Sequence, residues 1–156
     1  MKIYFIMLSI TIVMGSWTVG LLINNAIRHA TWYDKLSHFN FIRSEKVNKY
    51  LGLHLMRNII RKSFWRHFNQ TLKITKRPNR EQLLALRNEM TCAEIGHFVA
   101  FIVVLIVVAV FFVLKKSTQT ITLLLVLNVF LNLYPSLIQQ LSKRRLDVVL
   151  KRPGLK

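Results

Sequence analysis

The chain has 156 residues, 53% of them hydrophobic, and a formal net charge of +17. A soluble nucleic-acid-binding protein would share the charge but would not need long uninterrupted apolar segments, so nucleic acid is not an expected partner. The single cysteine excludes an intramolecular disulfide. The composition predicts an all-α integral membrane protein with basic cytoplasmic loops.

Three segments are long and apolar enough to span a bilayer as helices. They are residues 3–23, 97–114 and 121–138. The first is interpreted as a retained anchor rather than a signal peptide, because no small-x-small cleavage site follows its long apolar stretch. The short polar connection after the second segment predicts an antiparallel hairpin. Residues 1–156 are expected to form one membrane domain.

Basic residues are distributed unevenly along the chain. The loop at residues 24–96 has 14 Lys and Arg against five Asp and Glu, and the tail at residues 139–156 has six against one. Positive residues favour the cytoplasmic side of a membrane. We therefore expect a multi-pass protein of the cell membrane, with its N-terminus outside and its loop and C-terminal tail in the cytoplasm.

The long loop contains a predicted basic amphipathic helix at residues 50–72. Apolar residues recur there at every fourth position, while basic residues populate the other faces. The apolar positions are Met56, Ile60, Phe64, Phe68 and Leu72. Such a helix is typical of one that lies in the membrane interface. A helix that packs on a protein core and exposes its charges to solvent is the alternative.

A second helix is predicted to begin after Pro78. Asn79 is a suitable N-cap, and Gln82 has the spacing of a capping box. The helical pattern then continues from residue 80 to residue 114 without a breaker. At 1.5 Å per residue this helix is roughly 50 Å long, so its first half extends beyond the hydrocarbon core.

Glu94 and His97 lie at the start of the second apolar segment and share one helix face with Arg87. The carboxylate could orient the imidazole as a general base. Alternatively, both side chains remain hydrated at a polar helix entry. Metal centres of helical bundles need a second Glu-x-x-His motif, which the chain lacks, so no metal is expected.

The third apolar segment carries polar residues at every fourth position. They are Asn128, Asn132, Ser136 and Gln140. Such residues should face protein or a hydrated cavity rather than lipid, and contact between helices is the alternative to a substrate site. Pro135 removes a backbone donor and frees the carbonyl of Leu131, which predicts a kink.

The hairpin should bring the ends of the second and third segments together at the inner leaflet. The side chains expected to converge are Glu94, His97, Asn132, Tyr134 and Gln139, followed by Lys143, Arg144 and Arg145 at the level of the head groups. A base, hydrogen-bond donors and cations at this depth would suit group transfer onto a lipid hydroxyl.

A second candidate site consists of His29 and Asp34, which have the HxxxxD spacing of glycerolipid acyltransferases. The other motifs of those enzymes and their α/β pattern are missing. This spacing is therefore interpreted as coincidence.

Two motifs resemble a family of small membrane enzymes. AEIGHF at residues 93–98 is similar to the AExxH element, followed by Trp or Phe, of the glycosyl-4,4'-diaponeurosporenoate acyltransferase family. NLYPSLIQQLSKRRL at residues 132–146 is similar to its N-x-YP-x-x-x-Q-x-x-x-R-x-RL signature. The matching residues are Asn132, Tyr134, Pro135, Gln139, Arg145 and Leu146. Where the family usually has Arg-Tyr-Asn, this chain has Gln-Leu-Ser at residues 140–142, so the resemblance implies the acyltransferase class but not the carotenoid substrate.

The resemblance implies transfer of a fatty acyl group from a cytoplasmic thioester, acyl-CoA or acyl carrier protein, to a hydroxyl of a membrane lipid or glycolipid. No other cofactor is expected. His97 would be the general base and Glu94 would orient it. Asn132, Tyr134 and Gln139 would supply hydrogen bonds, and Arg87 and Arg145 would hold phosphate or head-group charge. The alternative is a non-catalytic membrane subunit or lipid-binding scaffold with a membrane-protein partner, or a homo-oligomer.

Overall fold

A computed structural model describes residues 2–38, 41–42, 44–62 and 78–152. Within these ranges the regular elements are all helical, and none is a strand. In chain order they are α1 (Lys2–Ile27), α2 (Tyr33–Ser37), α3 (Glu45–Tyr50), α4 (Leu53–Lys62), α5 (Arg80–Val113), α6 (Thr118–Asn128), a π-helical turn (Val129–Leu133) and α7 (Tyr134–Leu150). The predicted all-α class is confirmed.

Three helical stretches are long and apolar enough to cross a membrane: Ile3–Ile27, Arg80–Val113 and Thr118–Leu150. Only 22%, 17% and 33% of their most apolar windows are buried within the protein, so most of these side chains face outward, as lipid-contacting residues do. The protein is thus a multi-pass membrane protein with the three predicted spans. Each stretch continues beyond its predicted apolar segment, because flanking polar residues do not interrupt a helix.

The beginning of α5 confirms the predicted capping box. The Asn79 side-chain oxygen accepts the backbone N–H of Gln82 at 2.8 Å, and the backbone N–H of Asn79 donates to Oε1 of Gln82 at 3.2 Å. These reciprocal bonds satisfy two donors that would otherwise be unpaired at the helix start. A helix of 34 residues then runs from Arg80 to Val113, within one residue of the predicted end.

Internal packing divides the chain into two compact units, with α5 and α7 contributing residues to both. Unit 1 comprises Met1–His38 and Glu94–Ser136, and unit 2 comprises Phe39–Ala93 and Leu137–Lys156. In unit 1, α1 packs against α6. The centre of this packing is formed by Val13, Val104 and Leu124, which are fully buried.

Two glycines allow α1 to approach α5 closely within unit 1. A Cβ atom placed on Gly20 would overlap the backbone carbonyl oxygen of Gly96 and would touch the Cβ of Ala100 at 3.2 Å. By contrast, a Cβ on Gly15 would meet nothing within 4 Å. Close approach through small residues is a common way to pack helices in a membrane, where apolar burial alone favours no particular contact.

Unit 2 has its own apolar core, in which the first turns of α5 pack against α7. Its buried residues are Leu83, Leu86, Met90, Leu146 and Leu150.

Elsewhere in this unit, the helix predicted at residues 50–72 begins later than expected. Gly52 adopts a left-handed conformation with φ of 65° and separates α3 from α4.

The predicted apolar stripe of that helix is only partly described. On α4, Met56 is half-buried, whereas Leu55 and Ile59 are exposed. The other predicted positions, residues 60, 64, 68 and 72, are not among the side chains that the structure describes. The interfacial position of this helix therefore stays a prediction.

Candidate functional site

The polar stripe of the third span faces the protein interior, as predicted. The exposed fractions of Asn128, Asn132, Ser136 and Gln140 are 0%, 0%, 1% and 2%. Each of these side chains makes a hydrogen bond: the Gln140 carbonyl oxygen, for example, accepts the backbone N–H of Ile42 at 3.3 Å in unit 2. The stripe thus places its polar groups away from lipid, where unpaired donors would be costly.

An amide network joins the three long helical stretches in unit 1. Oδ1 of Asn132 accepts a hydrogen bond from Trp17 Nε1 at 2.7 Å, and its amide nitrogen donates to Asn128 Oδ1 at 2.8 Å. The Asn128 amide in turn donates to the carbonyl oxygen of Phe101 at 3.0 Å. The two asparagines therefore connect α1, α5 and the third span. Contact between helices was the predicted alternative to a substrate site.

His97 lies beside this network. Its ring meets the Trp17 ring edge-on, with 5.7 Å between centroids and 86° between planes, and it also interacts with the Asn132 side chain. Nδ1 of His97 is buried and has no hydrogen-bond partner among the residues that the structure describes. A buried polar atom without a partner is unusual, and it is an available acceptor for a substrate hydroxyl.

Glu94, one turn earlier, is 3% exposed. Its backbone carbonyl oxygen accepts a hydrogen bond from Ser136 Oγ at 3.1 Å, which fixes α5 against α7 within unit 1. In the described part of the chain, the contacts found for the His97 ring are to Trp17 and Asn132, and a contact to Glu94 is not among them. The orienting role predicted for Glu94 stays a prediction.

Tyr134 also belongs to unit 1. Its ring stacks on Phe130, with 5.5 Å between centroids and 13° between planes. The preceding residues form the π-helical turn, and the N–H of Tyr134 bonds to the carbonyl oxygen of Val129, five residues back. Such turns accommodate a proline one residue later and are frequent near functional sites.

The other predicted residues lie in unit 2. Gln139 is half-buried. Lys143, expected at the level of the head groups, is 2% exposed, so it is buried within the protein. Arg144 donates to the carbonyl oxygen of Ile42 at 2.8 Å, which ties α7 to the segment before α3. Basic character alone did not predict which face of the helix each cation occupies.

Arg87 and Arg145 have different partners. Arg87 is mostly buried, and its Nε lies 2.5 Å from Oδ1 of Asp147. Arg145 is exposed, and it contacts Nδ1 of His54 at 3.3 Å. Neither Asp147 nor His54 was predicted as a partner, since no local spacing connects residues so far apart in the chain.

His29 and Asp34 do not contact each other among the described interactions. His29 accepts a hydrogen bond from Arg28 at 3.1 Å, and Asp34 contacts Ser37 at 3.3 Å and His38 at 3.7 Å. The Asp34 side chain is 82% exposed. These contacts are local pairs on the surface, consistent with a coincidental HxxxxD spacing.

Trp17 and Ser16 are the site residues that sequence reasoning missed. Trp17 carries a donor in an apolar span, and such a donor needs a partner inside the membrane. That requirement could have singled out Trp17 from the sequence. Ser16 receives the second bond of the Asn132 amide at 3.4 Å and donates to the carbonyl oxygen of Val13.

We expect the Arg87–Asp147 pair to stabilise unit 2 rather than to bind substrate. A double-mutant cycle of Arg87→Gln and Asp147→Asn should give a coupling free energy of unfolding of roughly 0.5–3 kcal/mol, because a mostly buried guanidinium loses its counter-ion. Unfolding of the four proteins in detergent micelles measures this coupling. No coupling, together with a raised donor KM for Arg87→Gln alone, would contradict it.

The carboxyl of Glu45 provides a pH-dependent contact in unit 2. Hydrogen bonds from Asn48 and from His54 hold the pKa of Glu45 below its usual value of 4.5. Because the folded-state pKa is depressed, this stabilisation is present above pH 4.5 and is lost as the pH falls through the folded-state pKa. A carboxyl-carbon NMR titration should give a Glu45 midpoint below 4.5 and a higher midpoint in Asn48→Ala. The same midpoint in both proteins would mean that the hydrogen bond from Asn48 does not lower the pKa of Glu45.

One family model matches most of the chain. It is that of the glycosyl-4,4'-diaponeurosporenoate acyltransferase family, and it covers residues 29–152. The match includes both motifs on which the resemblance was recognised, together with α2 to α7. No curated protein and no solved structure matches the chain.

Proposed function

Because the chain belongs to the glycosyl-4,4'-diaponeurosporenoate acyltransferase family, we propose that it transfers a fatty acyl group from a thioester donor to a hydroxyl of a membrane lipid or glycolipid. The observation that carries this proposal is the buried Nδ1 of His97, which has no hydrogen-bond partner among the described residues and lies beside a hydrogen-bonded amide network in unit 1. A general base needs an open acceptor nitrogen on a ring that is otherwise held in place.

The proposed reaction begins with the acceptor hydroxyl bound at Nδ1 of His97. His97 takes the hydroxyl proton while the oxygen attacks the thioester carbonyl carbon, which gives a tetrahedral intermediate. The carbon–sulfur bond then breaks, and the thiolate takes the proton from the imidazolium and leaves as a thiol. The products are the new ester and the free thiol, and the imidazole returns to its neutral form.

Other residues are assigned supporting roles in this scheme. Asn132 and Trp17 hold the imidazole ring, and Glu94 stabilises its cationic form. Tyr134 donates a hydrogen bond to the developing oxyanion. In unit 2, Gln139 is a candidate for binding the acceptor, and Arg145 is a candidate for binding phosphate or head-group charge.

The donor is proposed to be acyl-CoA or an acylated carrier protein that reaches the enzyme from the cytoplasm. The charge distribution supports this assignment, because the basic loop at residues 24–96 and the basic tail favour the cytoplasmic side. In this orientation the N-terminus is outside and the C-terminus inside. Labelling single-cysteine variants at residues 2 and 156 with a membrane-impermeant maleimide on intact cells tests it.

The test of the function is transfer by the purified protein. Reconstituted protein is supplied with radiolabelled acyl-CoA or acyl carrier protein and with a lipid extract from a strain that lacks the protein, and the products are identified by mass spectrometry. Formation of one acylated lipid that is missing from the deletion strain is expected. Absence of transfer from both donors to the complete extract would overturn the proposal.

A non-catalytic membrane subunit is the second candidate. The observation that favours it is the Asn128–Asn132–Trp17 network, whose described hydrogen bonds are all internal to the protein, as in helix packing. Such a protein would depend on a membrane-protein partner or on a second copy. Co-purification of a stoichiometric partner together with no transfer by either donor would support it.

A further inference from the structure

Glu45, His54 and Arg145 form a chain of contacts in unit 2. Nε2 of His54 lies 2.8 Å from Oε1 of Glu45, and Nδ1 of His54 lies 3.3 Å from a terminal nitrogen of Arg145. Asn48 donates to the other carboxylate oxygen of Glu45 at 3.2 Å. Two short helices, α3 and α4, are thus linked to one guanidinium on α7.

The chemistry of the partners fixes the direction of each bond. A guanidinium only donates, so Nδ1 of His54 must be the acceptor and must carry no proton. The ring proton of neutral His54 is then on Nε2, where it donates to the carboxylate of Glu45. Glu45 therefore selects the tautomer of His54, and that tautomer is the one able to receive a bond from Arg145.

This arrangement leaves Arg145 available for an anion. Arg87 is mostly buried, and its charge is matched directly by Asp147 at 2.5 Å. Arg145 is exposed, and its described hydrogen bond uses one terminal nitrogen and ends on the His54 ring rather than on a carboxylate. Because the side chain is exposed, its other donors are accessible to a ligand. A guanidinium held in this way is suited to bidentate binding of phosphate.

We propose that Arg145 is the anchor for a phosphate group and that Glu45 and His54 are positioning residues for it. The phosphate belongs either to the acyl donor, whose pantetheine arm carries phosphate in coenzyme A and in carrier proteins, or to a lipid head group. The assignment of the phosphate to the acyl donor rests on the proposed function, whereas the existence of a phosphate site at Arg145 does not. Of the two arginines suggested by the sequence, the structure assigns the substrate anion to Arg145.

The first test measures binding without turnover. Protein in nanodiscs of phosphatidylcholine is titrated with coenzyme A and with pantetheine, which lacks the phosphates. Arg145→Gln should weaken coenzyme A binding roughly tenfold or more, because a charged hydrogen bond is lost, and should leave pantetheine binding unchanged. Arg152→Gln, an exposed change of the same charge on the tail, is the matched control.

The lipid arm separates the two sources of phosphate. Nanodiscs that contain phosphatidylglycerol are prepared with the same variants, and retained lipid is measured by native mass spectrometry. Loss of coenzyme A affinity in Arg145→Gln assigns the donor phosphate, and selective loss of phosphatidylglycerol assigns a head group. Equal behaviour of Arg145→Gln and Arg152→Gln in both arms would overturn the phosphate site, since general charge would then explain binding in a protein of net charge +17.

The positioning roles have a separate readout. Glu45→Gln and His54→Gln should each weaken binding of the same phosphate ligand in the wild-type background but add nothing in the Arg145→Gln background. Non-additivity of this kind arises only if both residues act through Arg145. If the losses of affinity add fully in the double variants, Glu45 and His54 do not act through Arg145. If a lowered melting temperature accounts for the losses, both residues serve the folding of unit 2. Either result would contradict positioning. If neither the wild-type protein nor any variant transfers an acyl group, the proposed function is rejected, while the binding results still stand.

Discussion

Replacement of His97 by alanine is expected to lower the rate of acyl transfer by about 10²–10⁴-fold, the usual contribution of a general base. The reason is specific to one atom, because Nδ1 is buried without a partner among the described residues while the ring is held by Trp17 and Asn132. The measurement is the initial rate with saturating donor and acceptor. Added imidazole should restore part of the rate, since it fits the space left by the side chain.

The control for this variant is His38→Ala. The His38 side chain is 62% exposed and pairs with Asp34 on the surface, so its loss should leave transfer unchanged. The melting temperature of both variants shows whether the fold is retained. A His97→Ala protein that folds and transfers at the wild-type rate would limit the ring to packing against Trp17 and would remove the proposed mechanism.

The second large effect is expected from Gly20→Ala. The new methyl group would overlap the carbonyl oxygen of Gly96, and backbone cannot move aside as a flexible side chain would. We expect a loss of about 1–3 kcal/mol in the free energy of unfolding, the usual cost of overpacking. The rate should fall as well, since His97 follows Gly96 directly in the chain.

Gly15→Ala is the matched control on the same helix. A Cβ at residue 15 meets nothing within 4 Å, so this change should be neutral or should stabilise the helix by about 0.5–1 kcal/mol. Unfolding of the two variants in the same detergent gives the comparison. Equal stabilities would mean that α1 and α5 do not approach each other as closely as the structure places them.

The features that the sequence predicted well are those that depend on local order. The capping box at Asn79 needs residues three positions apart, and the buried stripe from Asn128 to Gln140 needs only a helical period. Three apolar segments were sufficient to predict the class and the number of spans. Each of these patterns is complete within a few helical turns, so a single sequence contains it.

The partners of the polar side chains could not be predicted in this way. Trp17 and Asn132 are 115 positions apart, and Arg87 and Asp147 are 60 apart, so their meeting depends on how the helices pack. The same limit explains why the burial of Lys143 was not predicted. Its charge indicated a cytoplasmic end of the helix, but burial depends on which neighbour covers that face.

The π-helical turn at residues 129–133 has a consequence for the repeat of polar residues. In an α-helix four residues overshoot a full rotation by about 40°, so a repeat of four drifts around the axis. A π-helical turn rotates less per residue because its hydrogen-bonded ring contains one more residue. Underwinding at this position therefore keeps Asn128, Asn132 and Ser136 in phase.

Deleting one residue from this turn would allow an unbroken α-helix with more favourable local backbone geometry. It would also rotate Ser136 by about 100° away from the Glu94 carbonyl oxygen that it now reaches at 3.1 Å. Local helix regularity and the alignment of the polar side chains thus oppose each other in the third span. A deletion or insertion in this turn rotates every later side chain of the helix about its axis, whereas a substitution changes only one side chain.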